Sequence, residues 1–321
     1  MNKEITIAYI NYWQDPKNDN YFTKFIESNI GSCKVVSPNE NPDILVASVF
    51  GNIDNITKHT AKCKIFYYGE NLNRFSPYNN DDLLQKTFDL IVGFKYTNLE
   101  KKTLRFPLWL MYYDYYNYRT NDNTNDNTND NTNDNTNNID NIISHIENKY
   151  KKNIKKDKPL FATIISRHDR GGQRGKIWSS LSKYEGIKGR IKSAGDYRQN
   201  TSKIGLRCED KINYISQSLY NICPENTAYE GYFTEKIFQA FEAGTIPLYW
   251  AIDLPEKGLI NENKYCFCNV NNESELNESI NNVMMYPEKY LDGNVFTENA
   301  GSIIKEYYDN LRDNIKIKLG L

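Results

Sequence analysis

The sequence is poor in the residues that build metal sites and disulfide frameworks. Three histidines and six cysteines are spread over 321 residues, and Cys33, Cys63, Cys208, Cys223, Cys266 and Cys268 include no C-x-x-C pair. Neither a zinc ligand set nor a disulfide scaffold is expected. A surplus of one charge is missing as well: 40 Lys and Arg stand against 41 Asp and Glu. That balance removes the electrostatic attraction on which non-specific nucleic-acid binding depends, so no nucleic-acid partner is expected. No stretch approaches the roughly 20 apolar residues of a membrane span. The opening MNKEITIAYINYW reads as a strand rather than a signal peptide. Together these absences predict a cytoplasmic protein with reduced thiols.

What is present is a repeating strand and helix grammar. Apolar runs at 5–11, 34–37, 43–50, 64–68, 90–94 and 105–111 read as strands separated by polar or helix-like spacers. Runs without alternation, such as DILVASVF, suit strands buried on both faces. The spacing of Phe22, Phe25, Ile26 and Ile30 predicts a helix over 21–30. From Asn121 to Thr136 the sequence repeats Asn-Asp-Asn-Thr four times. A tract with no apolar residue buries nothing against its ordering entropy, so a disordered linker is expected. The grammar then restarts, with helices at 139–150, 173–184, 235–243 and 272–285 and strands at 161–166, 219–224 and 245–250. The expected organisation is an N-terminal Rossmann-like domain over 1–118, a linker over 119–138, a second Rossmann-like domain over 139–300 and an amphipathic C-terminal helix over 301–321. Two such halves leave a cleft, and open α/β sheets take ligands beyond the carboxyl ends of their strands.

The densest segment is NICPENTAYEGYFTEKIFQAFEAGTIPLYW, residues 221–250. Thr234 is placed to cap a helix whose apolar face is Ile237, Phe238 and Phe241, and Gly244 supplies its stop. A helix start carries free N–H groups and partial positive charge, a seat for a diphosphate to which Lys236 adds a full charge. Glu235 reads either as an ordinary first-turn carboxylate or as an acceptor for ribose hydroxyls. A second segment, SRHDRGGQRGKIW, offers Arg170, Arg174 and Lys176 either to a phosphate or to solvent. Glu70, at a predicted strand end in YYGEN, reads either as a solvated loop carboxylate or as a base that takes a proton from a sugar hydroxyl.

The blocks NICPEN, GYFTEKI and TIPLYW, in this order within about 30 residues, resemble the signature of the family 10 α1,3-fucosyltransferases. Weaker similarity runs through IFYYGEN, FDLIVGF, LRFPLWL and FATIIS, most like the Helicobacter enzymes. The resemblance implies a GT-B fold, two Rossmann-like domains facing a central cleft. It implies inverting transfer of L-fucose from GDP-β-L-fucose to GlcNAc of N-acetyllactosamine-type oligosaccharide or glycolipid acceptors, as in Lewis-antigen synthesis. Carried onto this chain, Glu70 is the general base, Arg174 and Lys236 contact the donor diphosphate, and Glu235 binds the ribose. Asn226 and Tyr232 are further donor-pocket residues, and Lys211 joins them through a looser alignment. The sequence departs from the pattern at Pro224, where Phe is common, and at Ala251, where Gly is usual.

No Asp-x-Asp motif occurs, so no metal ligand and no required cofactor are expected, Mn²⁺ being at most stimulatory. The C-terminal helix is expected either to pack or to touch the inner membrane face. Two rival readings stand beside this one: a GT-B transferase with another nucleotide-sugar donor, and a glycan-binding protein whose donor site has decayed.

Overall fold

The computed structural model describes residues 4–13, 20–121, 135–204, 208–254 and 256–321. Most of the Asn-Asp-Asn-Thr tract, with the middle of the linker expected over 119–138, lies outside the described residues, while the linker's two ends belong to the helices Leu108–Asn121 and Asn135–Asn153. The chain divides into two compact units, one of Met1–Asn141 with Gly301–Leu321 and the other of Ile142–Ala300.

The first unit holds a six-stranded parallel sheet in the order β2-β1-β3-β4-β5-β6. Its strands are β1 (Ile5–Ile10), β2 (Cys33–Val35), β3 (Ile44–Ala47), β4 (Cys63–Tyr67), β5 (Leu90–Gly93) and β6 (Thr103–Arg105). All four residues of β3 are fully buried, as a strand covered on both faces requires. The strand expected over 105–111 ends instead at Arg105, and a helix runs over Leu108–Asn121. Pro107 explains the change, since it has no N–H for a sheet ladder while its carbonyl accepts from Leu110 N at 3.1 Å.

The C-terminal helix, Ala300–Leu319, packs in the first unit. Its Ile304, Tyr308, Leu311 and Ile315 recur at helical spacing and are fully buried, and the Tyr308 ring lies 5.3 Å from Phe106 and 6.0 Å from Phe25. The face that a membrane surface would need is therefore spent inside the protein, which removes the basis for reading this helix as a membrane contact. Among the described residues no helix is long and apolar enough to cross a membrane.

The second unit holds a five-stranded parallel sheet in the order β11-β10-β9-β7-β8. Its strands are β7 (Leu160–Ile164), β8 (Ile191–Ser193), β9 (Ser218–Ile222), β10 (Ile246–Tyr249) and β11 (Cys266–Phe267). After β7 the chain moves to one edge with β8, then returns to the other side of β7 with β9. The strand order thus reverses between β7 and β9, the position at which open α/β sheets receive ligands.

A buried carboxylate ties three helices of the first unit together. Tyr21 of the helix Tyr21–Asn29 donates to Asp114 Oδ2 at 2.9 Å, and Tyr308 lies on the same carboxylate. Burial raises the Asp114 carboxyl from 3.8 to about 6, although the bonds from Tyr308 and Tyr21 oppose the rise. A carboxyl whose folded-state value is raised binds its proton more tightly in the native state. Its stabilising contribution is complete below about pH 4 and is lost as pH climbs to about 6. Asp114→Asn mimics the protonated form, so it should raise stability at pH 7.5 by an amount on the order of 2–3 kcal/mol. It should also remove most of the decline between pH 4 and pH 6. Urea unfolding of both proteins across that range is the check, and parallel pH profiles would refute the assignment.

Candidate active site

The carboxyl ends of β7 and β9 bring three cations to one cavity. Ile165, just after β7, and Asn221, Ile222, Cys223 and Pro224, at the end of β9, form its walls, and Arg174, Lys211 and Lys236 line it. Asn221 ties the two strands together by donating to Thr163 O and Thr163 Oγ1, both at 3.2 Å. Each cation comes from a different helix: Arg174 from Gln173–Leu181, Lys211 from Cys208–Ile215 and Lys236 from Lys236–Glu242.

Arg174 is fixed by the loop before its helix. Gly172 turns the chain at φ 75°, and the Asp169 carboxylate accepts from the backbone N–H of Arg174 at 3.1 Å and of Gly175 at 2.7 Å. The guanidinium donates to His168 O at 3.1 Å and to Asn226 Oδ1 at 2.6 Å. Burial pulls it below its usual range, with Asp169 and Glu225 pulling back. Its companions in the sequence segment are not in the cavity lining: Arg170 is exposed, and Lys176 donates to Val270 O at 2.8 Å beside a separate groove of about 580 Å³.

Lys236 depends on a residue that the sequence reading overlooked. Glu225 is fully buried and accepts from Thr234 N at 2.8 Å, Thr234 Oγ1 at 2.9 Å, Tyr249 OH at 3.0 Å and Lys236 Nζ at 2.8 Å. Burial would weaken the Lys236 charge, but Glu225 and Glu235 outweigh it and hold the ammonium well above the usual lysine range. Thr234 therefore does not cap the helix as expected. Glu235 occupies the cap position without a side-chain cap bond, while the Thr234 hydroxyl joins Glu225 and Lys236. The signal that could have found Glu225 is a carboxylate placed directly after a buried strand end, between Pro224 and Asn226.

Asp169 thus occupies backbone N–H groups that the sequence had offered to an anion, those of Arg174 and Gly175, whereas Glu225 takes the N–H of Thr234, one residue before the cap of the second helix. Lys211 donates to Gln239 Oε1, and burial together with Lys236 lowers its basicity against the pull of Glu235. Burial would raise the Glu235 carboxyl, but Lys236 and Lys211 override it and hold the group below the usual range. The buried Tyr232 ring stands 6.0 Å from Lys236 Nζ.

The helix Lys236–Glu242 is anchored at its far end. Gly244 adopts φ 63°, Gly244 N bonds Phe241 O at 2.7 Å and Thr245 N bonds Ala240 O at 3.1 Å, the paired bonds of a Schellman stop. A Cβ on Gly244 would stand 2.3 Å from Ile154 N, so both its dihedral and its packing demand glycine. Of the seven residues implied by the resemblance, Arg174, Lys211 and Lys236 line the cavity, and Asn226, Tyr232 and Glu235 neighbour them. Glu70 belongs to the first unit, three residues beyond β4, where its Oε2 lies 3.9 Å from Arg74 Nη1. Among the described residues no group of three or more His, Cys, Asp or Glu side chains is gathered as a metal ion would need.

Residues 7–112 match the family model described as the alpha-(1,3)-fucosyltransferase FucT N-terminal domain. Over 303 residues the chain is 26% identical to an alpha-(1,3)-fucosyltransferase FucT of Helicobacter pylori, covering 90% of this chain and 59% of that one. The chain therefore spans about three fifths of the length of the curated relative it matches. A crystal structure of an alpha1,3-fucosyltransferase superposes with a TM-score of 0.64 at 22% identity, covering 98% of this chain and 92% of that one. A crystal structure of alpha1,3-fucosyltransferase with GDP-fucose gives 0.63 at 22% identity, covering 97% and 90%. The fold is GT-B, with two parallel-sheet α/β units. The likeness to α1,3-fucosyltransferases carried by the motifs holds in both sequence and fold.

The four donor groups on Glu225 make it the support of this site. Glu225→Ala leaves the Lys236 ammonium and the Tyr249 hydroxyl without their buried acceptor, and should cost on the order of 3–5 kcal/mol of stability by urea unfolding. Glu235→Ala should cost far less. Equal losses for the two variants would show that Glu225 is not the organising charge.

Proposed function

We propose that the chain is an inverting α1,3-fucosyltransferase that moves L-fucose from GDP-β-L-fucose to GlcNAc of N-acetyllactosamine-type acceptors. The observation that carries this reading is the convergence of Arg174, Lys211 and Lys236 on one cavity at the strand-order reversal of the second sheet. As the sugar leaves, negative charge grows on the β-phosphate of GDP, and fixed cations in a partly buried site stabilise it without reorganising. Asn226 and the His168 carbonyl hold the Arg174 guanidinium in place, and Glu225 holds Lys236. Glu235, kept ionised by the two lysines, accepts from the ribose hydroxyls, and Tyr232 completes the nucleotide pocket.

The acceptor hydroxyl is a poor nucleophile at neutral pH and needs a base as the new bond forms. Glu70, at a strand end of the first unit and carried over from the family motif, takes that role. The three cations supply the charge that a divalent ion would otherwise bring, so no metal is assigned. The rival reading of another nucleotide-sugar donor is separated by thermal shifts with GDP, UDP, ADP and CMP, of which only GDP should stabilise the protein. A shift with none of them would favour the decayed-site alternative.

Two outcomes follow in steady-state kinetics. Glu70→Gln should lower kcat by roughly 10²- to 10⁴-fold with GDP affinity nearly unchanged. Lys236→Ala and Arg174→Ala should each lower it on the order of 10²-fold and weaken GDP binding as well, as read by calorimetric titration. Wild-type turnover in Glu70→Gln, or unaltered GDP affinity in both cation variants, would overturn these roles. Transfer should also persist in excess EDTA, and complete loss restored by added Mn²⁺ would contradict the assignment of the leaving-group charge to side chains.

A further inference from the structure

The carboxyl edge of the first sheet gathers aromatic side chains around Glu70 that the reaction as described does not use. Trp13 follows β1 and lies 5.2 Å, ring centroid to ring centroid, from Phe50, which follows β3. It lies 5.5 Å from Tyr67, the last residue of β4. Phe50 is 6.3 Å from Phe75, and the Phe75 ring stands 5.9 Å from the guanidinium of Arg74, which reaches the Glu70 carboxylate at 3.9 Å. The circuit closes at Gly69, where a Cβ would stand 3.1 Å from the Trp13 ring and 3.0 Å from Leu108. Glycine is thus what lets the indole pass beside the residue preceding Glu70.

Two further features mark this edge. In the first sheet the strand order reverses between β1 and β3, the two strands that deliver Trp13 and Phe50. Phe50 is 45% exposed although it adjoins two other aromatic rings, Trp13 and Phe75. A single exposed Phe is ordinary, but a half-exposed ring backed by an indole, with a neighbouring ring that stands beside a guanidinium paired to a carboxylate, combines an apolar wall with polar groups farther along the same edge.

We infer that Phe50, backed by Trp13 and flanked by Phe75, is a stacking platform for a pyranose ring of the acceptor. One face of such a ring presents C–H groups, which sit well on the electron-rich face of an aromatic side chain. Its rim presents hydroxyls, which Glu70 accepts from and Arg74 donates to. This assignment rests on the reading of the acceptor as a saccharide and adds the residue that orients it.

The test is Phe50→Ala beside the restoring variant Phe50→Trp, with N-acetyllactosamine as acceptor and saturating GDP-fucose. Phe50→Ala should raise the acceptor KM by about three- to tenfold, the size of one aromatic contact. The change in kcat should be far smaller, and Phe50→Trp should recover the wild-type KM. An unchanged KM in Phe50→Ala overturns the platform. Saturation-transfer NMR with N-acetyllactosamine and no donor examines the same site apart from the proposed reaction. A saccharide signal in the wild type that disappears in Phe50→Ala supports the platform even if fucose is not the transferred sugar. No wild-type signal, or equal signals in both proteins, refutes it.

Discussion

The second unit is organised around the buried carboxylate of Glu225. One side chain gathers the end of β9, the start of the helix Lys236–Glu242 and the Tyr249 hydroxyl at the end of β10. An ionised group with no exposure is stable only when its bonds are complete, and here four donors complete them. The same bonds set the position of Lys236 and keep it charged. Without this carboxylate three cations would face one another across a narrow cavity, and their mutual repulsion would push the side chains apart or strip a proton from Lys211, the lysine whose basicity burial already lowers.

Glu225 is therefore a counter-charge that permits a concentration of positive charge. Its bonding is directed inward, to Thr234, Tyr249 and Lys236, and Glu235 supplies a second negative charge next to the lysines. Asp169 plays the corresponding part for Arg174 by holding the first backbone N–H groups of its helix. An anion entering this cavity would meet side chains already held in place by bonds within the protein. Such presetting is what makes fixed cations effective against charge that appears only as a bond breaks.

Much of this arrangement was legible in the sequence because strand ends and the polar residues after them are local patterns. The runs DILVASVF and TIPLYW read as buried strands and each holds one, Ile44–Ala47 and Ile246–Tyr249, and the TEKI helix and its Gly244 stop were placed closely. Other parts were illegible for physical reasons. β8 and β11 have three and two residues, too few to show periodicity. The LWLM run is apolar on every side, so only Pro107 distinguishes the helix from a strand. Glu225 acts through partners 9 to 24 residues away in sequence, a relation that no spacing rule reveals. Asp114 lies 93 residues from Tyr21, and neither signals the other.

The course of the chain carries a consequence of its own. The first unit opens the sequence and, through the helix Ala300–Leu319, also ends it, so the second unit is an insertion within the first. Near the borders of that insertion Glu147 Oε1 accepts from Phe296 N at 2.9 Å, and this bond lies within the insert. The second unit is thus latched to itself at its own entrance and exit. It has the build of a cassette, whose removal would take no strand from the host sheet.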